Sequence, residues 1–410
     1  MLKQNKFFSI ISILGTALAI MMIMAIIVTD GIKNISVAPE NNRHQTLYIR
    51  YSVLKDSTGG NKSVHSGPLE YDIIKEYILP MKTPEIISAN SKQMALVGTE
   101  RSAENTQMTA IYTDPAYWKF LSFSFLEGRT FVEEEFLSGV SLAVISESTA
   151  KQLFKGENAI GQHINIDFQP YRVIGIVKDV SHIFTNAHAD IWMPYTSLRN
   201  IEHTRLSVML LPNAKGGAEA IKEEIREIER KYNHSNEEKS LHIRGPEIHR
   251  MQAMDIRGSS ESEVSENLNI AIRKIWFILI IIMLVPAINL SGLNLSRIKK
   301  RTPEIGVRKA FGAKRHVILI QVLCENLITS FVGGILGLLL SVFVIFQMKN
   351  WLLNIPEDSA IPFSAIISIP VVISVFAACI IINILSAAIP AYRASRMTIA
   401  NSITNNDKTS

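Results

Sequence analysis

Four long apolar stretches, three of them free of charged residues, frame one long polar region, and this segregation limits the chain to membrane-embedded architectures. Phe7–Val28 runs 22 residues without a charge. At about 1.5 Å per helical residue it crosses a hydrocarbon core of about 30 Å. A cleaved signal peptide would have a shorter apolar region, about 7–15 residues, followed by an A-x-A site. No such site follows, so an uncleaved anchor is expected, with Lys3 and Lys6 holding the N-terminus in the cytoplasm. Further spans are expected at about 275–296, kinked at Pro286, at 316–347, and at 362–389, interrupted by Pro370. The loop after the second span carries Arg297, Lys299, Lys300, Arg301, Arg308, Lys309, Lys314 and Arg315 against one acid, Glu304, which places it in the cytoplasm. Glu357 and Asp358 mark the next loop as external, and Arg393 and Arg396 return the tail to the inside. Only Arg273 and Lys274 sit on the unexpected side.

The net charge of +5 conceals two populations. Residues 30–266 hold 26 Lys+Arg against 32 Asp+Glu, and the remainder holds 16 against 5. The basic excess therefore flanks the apolar stretches, where it orients them, and forms no nucleic-acid-binding face. Both cysteines, Cys324 and Cys379, lie in apolar stretches, so the polar region is expected to fold without disulfides and without a zinc site.

The polar region, 30–270, reads as an α+β extracytoplasmic domain. Strands are expected at 47–53, 85–97, 206–211 and 241–244, with helices at 69–79 and 217–232; the latter is rich in i,i+4 pairs of Glu with Lys or Arg. Two β-α-β units separated by an insertion point to a split ferredoxin-like subdomain. The insertion, about 105–200, is richer in strands, among them 142–145, 163–168 and 172–177. It also holds a short helix at 147–154 capped by Ser146.

Residues 301–313, RTPEIGVRKAFGA, encode a short isolated helix, 302–312, between two spans. Thr302 is a suitable N-cap and Pro303 fits the first helical position. Glu304 complements the positive end of the helix dipole, Arg308 and Lys309 complement the negative end, and Gly312 stops the helix. A basic linker lying at the headgroups would explain the charge, but not the cap, the stop and the ordered apolar side chains Ile305, Val307, Ala310 and Phe311.

The string EIGVRKAFGAKRHVILIQVLCEN resembles the cytoplasmic loop and following helix of the FtsX/MacB family of ABC transporter permeases. The resemblance rests on Glu304, Ile305, Gly306, Val307, Arg308, Lys309, Ala310, Gly312, Ala313 and Glu325. The phrases TDPAYWKFLSFSFLEGRTF, AVISESTAKQLF, ENAIGQHI and YRVIGIVKDV resemble that family's extracytoplasmic domain, which is described as two subdomains, one porter-like. The tail PAYRASRMTIANSI is similar to the family's closing phrase, except that Thr398 and Ile399 replace its usual Asp-Pro. The resemblance implies a bacterial inner-membrane protein with four spans, both termini in the cytoplasm, and a coupling helix that docks on a separate ABC ATPase subunit. ATP and Mg would be bound by that partner and no cofactor by this chain. A second permease, identical or related, would complete a dimer. The implied output is export of a drug, peptide or toxin from the periplasm with a periplasmic adaptor and an outer-membrane channel, or else lipoprotein extraction or activation of a cell-wall hydrolase. A membrane-anchored receptor or adhesion protein is the rival of another class.

Other signals are weaker. Gly333 and Gly337 have GxxxG spacing, which suits close helix packing either within the chain or between two copies. Glu325 is an intramembrane acid; pairing with cytoplasmic cations, or a position near the interface, is the plainer reading and a proton relay the bolder one. His182, His188 and Asp190 lack the spacing of a helical metal site, and Asp114, Glu127 and Glu133–Glu135 have no fixed nucleophile or base beside them. The chain contains no G-x-x-x-x-G-K-[ST] loop and no G-x-S-x-G, so no enzymatic activity of its own is expected.

Overall fold

A computed structural model describes residues 6–32, 34–57, 63–99, 105–213, 217–249, 265–282, 284, 302–353 and 369–396. The chain divides into two compact units. One lies largely within Lys33–Ile270; the other is drawn from Met1–Ile32, Ala271–Leu353 and Pro362–Ser410.

The first unit is organised by an eleven-stranded sheet. β1 (Leu47–Ile49) lies between β14 (Glu247–Ile248) and β12 (Arg205–Pro212), and β12 pairs in turn with β5 (Pro84–Gly98), all antiparallel. The strand expected at 241–244 is not part of this order; the two-residue β14 stands beside β1 in its place. β5 then turns back into β6 (Thr106–Thr113), and the sheet continues through β11 (Ile191–Pro194), β8 (Leu142–Ser146) and β10 (Gln169–Val177) to β7 (Phe125–Gly128). Most of the insertion's strands therefore prolong the same sheet. The insertion's core is aromatic: Trp118 meets Phe123, Phe125, Phe131 and Trp192, tilted or edge-on, at centroid distances of 5.0–6.2 Å.

Several expected elements are redrawn. The strand expected at 47–53 breaks at Arg50 and Tyr51. Its second part, β2 (Ser52–Asp56), pairs with β3 (Ser63–Gly67) and β13 (Lys239–Ile243) in a separate three-stranded sheet. At the break the Arg50 guanidinium turns to Glu247 at 2.8 Å, and Arg244 packs over the Tyr51 ring. The helix expected at 69–79 begins later and is wider. Leu69–Glu70 forms a strand against β12, one α-turn follows at Tyr71–Ile73, and Ile74–Ile78 is a π-helix in which Leu79 N–H reaches Ile74 O at 2.9 Å. This wider turn keeps Ile73, Ile74 and Ile78 all buried. The strand expected at 163–168 ends at Ile166, because Asp167 and Phe168 take φ of 47° and 66°. The helix expected at 147–154 is present, and the Ser146 hydroxyl accepts the Thr149 N–H at 3.2 Å. The helix expected at 217–232 runs Gly217–Ser235 and buries Ile221, Ile225, Ile228 and Tyr232.

In the second unit, α1 (Lys6–Ile32), α9 (Arg315–Leu353) and α10 (Ile369–Arg396) pack together, the labels numbering the described helices in chain order. Among the described residues, Arg315–Gln347 is long and apolar enough to cross a membrane, and Ile13–Val28 is a shorter apolar helix. α9 continues through Lys349 to Leu353, where a loop was expected, and α10 continues past 389 to Arg396. A further helix occupies 265–282, starting ten residues before the expected span; the rest of that span, the 362–368 segment and the tail beyond Arg396 lie outside the described residues.

The glycines of α9 set the spacing of these helices. A Cβ at Gly333 would come within 2.9 Å of the Ile13 carbonyl oxygen and of Thr16 Cβ, and one at Gly337 within 2.7 Å of the Ala17 carbonyl oxygen. The GxxxG pair thus faces α1 of the same chain. Gly334 faces the other neighbour, its would-be Cβ pressing on Phe376 Cε2.

Candidate partner-docking helix

The short helix expected at 302–312 is α8 (Thr302–Ala310). Its backbone begins at Thr302, although the side chains of Thr302, Pro303 and Lys309 lie outside the described residues, as does side-chain space at Gly306. Its stop is fully formed. Gly312 adopts φ +87°, Ala313 N–H reaches back to the Arg308 carbonyl at 3.0 Å, and Phe311 N–H reaches Val307 O at 3.1 Å. The six-to-one bond across a left-handed glycine is a Schellman ending. It turns the chain sharply, so that α9 starts only five residues after α8 ends.

The two faces of α8 have different fates. Ile305 is buried against Ile318 of α9, with Ala313 and Val322 packed around them. Arg308 pairs with Glu304 one turn earlier at 2.6 Å, and its other Nη donates to the Gln321 side-chain oxygen at 2.7 Å. Gln321 donates onward to Glu325 Oε1 at 3.5 Å. Glu325 is half-buried and joined through Gln321 to α8, and Thr329 donates its hydroxyl to the Glu325 carbonyl. The opposite face carries Val307, 53% exposed, and Phe311, 88% exposed. These lie four residues apart on one side of the helix, with Ala310 also exposed. Leaving a phenylalanine in solvent forgoes about 1.5–3 kcal/mol of burial. Gln321 was not singled out in the sequence; its i,i+4 relation to Glu325 was the available signal.

The residues weighed for other chemistry are placed elsewhere. Asp114 is a buried N-cap: its Oδ1 accepts from Ser88 Oγ at 2.9 Å and Tyr117 N–H at 2.9 Å, and its Oδ2 from Ala89 N–H at 2.7 Å. Burial pushes its carboxyl up to about 6, against those three bonds. Glu135 is held bidentate by Arg129 at 2.6 and 2.7 Å, which lowers its pKa, and Glu127 is exposed. The His182 and His188 ring centroids lie 3.8 Å apart with the rings tilted by 53°, His188 Nδ1 faces the Val180 carbonyl, and Asp190 accepts the Thr109 N–H. Desolvation lowers His188 to about 4.

Comparison with known proteins agrees with this organisation. Residues 9–228 match the MacB-like periplasmic core domain, and residues 276–399 match the FtsX-like permease C-terminal domain. The uncharacterized ABC transporter permease YvrN of Bacillus subtilis is 25% identical over 406 residues, 96% of this chain and 95% of YvrN. YknZ, another uncharacterized ABC transporter permease of that species, is 24% identical over 260 residues, 62% of this chain. The macrolide export ATP-binding/permease protein MacB of Escherichia coli K12 is 23% identical over 357 residues, 86% of this chain. The chain spans 60% of the length of YknZ and 52% of that of MacB. Among solved structures, the extracellular domain of YknZ aligns with 48% of this chain and 99% of its own length at TM-score 0.37 and 19% identity. The periplasmic region of MacB from Actinobacillus actinomycetemcomitans aligns with 50% of this chain and 92% of its own at TM-score 0.36 and 16% identity.

The matched domains define an ABC transporter permease, with an extracytoplasmic domain of α+β type and a membrane domain. Neither of them is an ATPase domain. The chain belongs to the FtsX/MacB family of these permeases, whose members are inner-membrane proteins with a periplasmic domain.

Proposed function

We propose that the chain is a permease subunit that couples ATP hydrolysis on a separate ABC ATPase to movement of its own extracytoplasmic domain. The observation that carries this reading is the two-sidedness of α8: Ile305 is anchored on Ile318 of a long apolar helix, while Phe311 is 88% exposed. A helix fixed on one side and apolar on the other is suited to receive a protein partner and pass its displacement to α9. In this reading the chain has four spans at about 275–296, 316–347 and 362–389 after the N-terminal one, with both termini in the cytoplasm. It acts as a dimer, with an identical or a related permease, on two ATPase subunits that hold ATP and Mg. Closure of the ATPases displaces α8, and the spans carry that motion to the periplasmic side. Export of a drug, peptide or toxin, with a periplasmic adaptor and an outer-membrane channel, is the output we favour.

A photo-crosslinking amino acid placed at position 311 tests the docking face in cells. The reading expects a crosslink to a nucleotide-binding subunit, and none from position 318, where the side chain is buried. Crosslinks to lipid alone from position 311 would replace docking with simple headgroup contact.

A further inference from the structure

The chain leaves α1 at Ile32 and joins the large sheet of the extracytoplasmic unit only at Leu47. Residues 34–46 form neither helix nor strand, so no backbone ladder fixes their path. Ile35 and Val37 add half-buried apolar contacts with the core, and polar side chains do the rest. Glu40 and Arg43 are both buried, which charged side chains rarely are, and they pair at 2.7 Å.

The pair reaches across to the insertion. Arg43 donates to the Ile183 carbonyl at 2.8 Å, and its guanidinium lies over the Phe184 ring, 4.7 Å from the centroid. Glu40 Oε1 accepts the N–H groups of Asn186 and Ala187, each at 3.1 Å. A second loop of the insertion closes on the same segment. Ser122 N–H donates to the Pro39 carbonyl at 2.9 Å, and its Oγ accepts from Asn41 Nδ2 at 2.8 Å. The 183–187 loop is itself tied down, since the hydroxyl of Tyr117 donates to the Asn186 carbonyl at 2.8 Å, and Phe184 and Ala187 are buried. Residues 39–43 are thus clamped between two loops of the insertion before the chain enters β1.

A buried ion pair is a poor source of net stability, because desolvation offsets its attraction; what it does well is hold one geometry. Here the geometry held is that of the segment leading out of a membrane helix. We propose that residues 39–43 are a strap through which α1 moves the insertion, with Glu40 and Arg43 as its positioning residues. A displacement of α1 then reaches the insertion directly, ahead of β1, β12 and β5, through charge-assisted hydrogen bonds and packed side chains. This rests on the coupling role proposed above and adds where in the extracytoplasmic unit the motion arrives.

The test uses the full chain with its co-purified ATPase in nanodiscs that contain an acceptor-labelled lipid. A fluorescent amino acid at position 168, an exposed site on the insertion, reports the height of the insertion above the bilayer by energy transfer. Transfer is read in ADP and after trapping with ATP and vanadate, and in the wild type it is expected to differ between the two states. Glu40→Met combined with Arg43→Met removes both charges at similar volume and leaves no lone buried charge. This double variant is expected to bind the ATPase and hydrolyse ATP as the wild type does, and to lose at least about half of the nucleotide-dependent change. Asn41→Ala, at an exposed position, is expected to lose a smaller part with wild-type circular dichroism. Asn41→Cys with Ser122→Cys, added to the double variant, joins strap and insertion by a disulfide. It is expected to restore the change when oxidised and to lose it again in dithiothreitol, a reversal that general damage to the fold would not show. A full change in both the double variant and Asn41→Ala, or no restoration once the disulfide has formed, overturns the proposal and leaves the coupling reading standing. No change in the wild type overturns both.

Discussion

Arg308 donates from one Nη to the Gln321 side-chain oxygen at 2.7 Å, across the sharp turn that separates α8 from α9. Beside it, Ile305 and Ile318 make the apolar contact between the same two helices. A displacement applied to the exposed face of α8 therefore meets two attachments to α9, one greasy and one directional. The Glu304–Arg308 pair is about half exposed on both sides and adds little by itself, on the order of 0–1 kcal/mol. The directional link is the Arg308–Gln321 bond.

Gln321→Leu removes that acceptor while Arg308 keeps Glu304. The ATPase is expected still to co-purify, because Val307 and Phe311 are untouched. Transport-coupled ATP hydrolysis in proteoliposomes is expected to fall several-fold, and Gln321→Glu, which retains an acceptor, to preserve it. Loss of co-purification in Gln321→Leu would show that the residue shapes the docking face itself.

The glycines of α9 make a ranked prediction. At Gly337 and Gly333 an added methyl group would press on backbone carbonyl oxygens of α1, at 2.7 and 2.9 Å, which can yield only if the helices separate. At Gly334 it meets the end of the Phe376 ring, which can rotate away. Gly337→Ala and Gly333→Ala are therefore expected to cost about 1–3 kcal/mol each, and Gly334→Ala less. Thermal inactivation of the detergent-solubilised protein checks the order. A Gly334→Ala variant less stable than Gly337→Ala would contradict this packing.

Much of this was legible because local chemistry decided it. The stop at Gly312 needs a residue tolerant of φ +87°, and Ser146 precedes its helix as a cap should; both can be read from a few adjacent residues. The elements that departed from expectation were decided by distant partners. Leu69 and Glu70 leave the expected helix to pair with Leu206 and Arg205, and Arg50 ends its strand on a carboxylate 197 residues away. Asp167 and Phe168 turn left-handed without a glycine, helped by Asp167 accepting the Leu96 N–H at 2.9 Å. On α8 the sequence marked the apolar residues but not which would be anchored, and Ile305 and Phe311 take opposite roles.

Asp114 gives the extracytoplasmic unit a pH-dependent term. Its folded pKa is raised from 3.8 to about 6 by burial, so the folded state holds the proton more tightly than the unfolded chain. That contribution is full below about 4 and is lost as pH rises through about 6. Asp114→Asn places an amide where three donors converge, at a cost of about 1–3 kcal/mol. Denaturant unfolding followed by tryptophan fluorescence is expected to show a larger penalty for this variant at pH 4 than at pH 7.5. A penalty that is equal at both values, or greater at pH 7.5, would mean that the carboxylate stays ionised when folded.

The central claim is that α8 presents its exposed face to an ATPase, and Phe311→Asp addresses it most directly. The variant places a charge where the chain is 88% exposed, so folding and membrane insertion should be unaffected. Wild type and variant are to be affinity-purified from native membranes in mild detergent, and the eluates assayed for a nucleotide-binding subunit and for ATP hydrolysis. The account predicts an ATPase with the wild type and its loss with Phe311→Asp at equal permease recovery. An ATPase retained by the variant, or absent from the wild type even after crosslinking in cells, would contradict it.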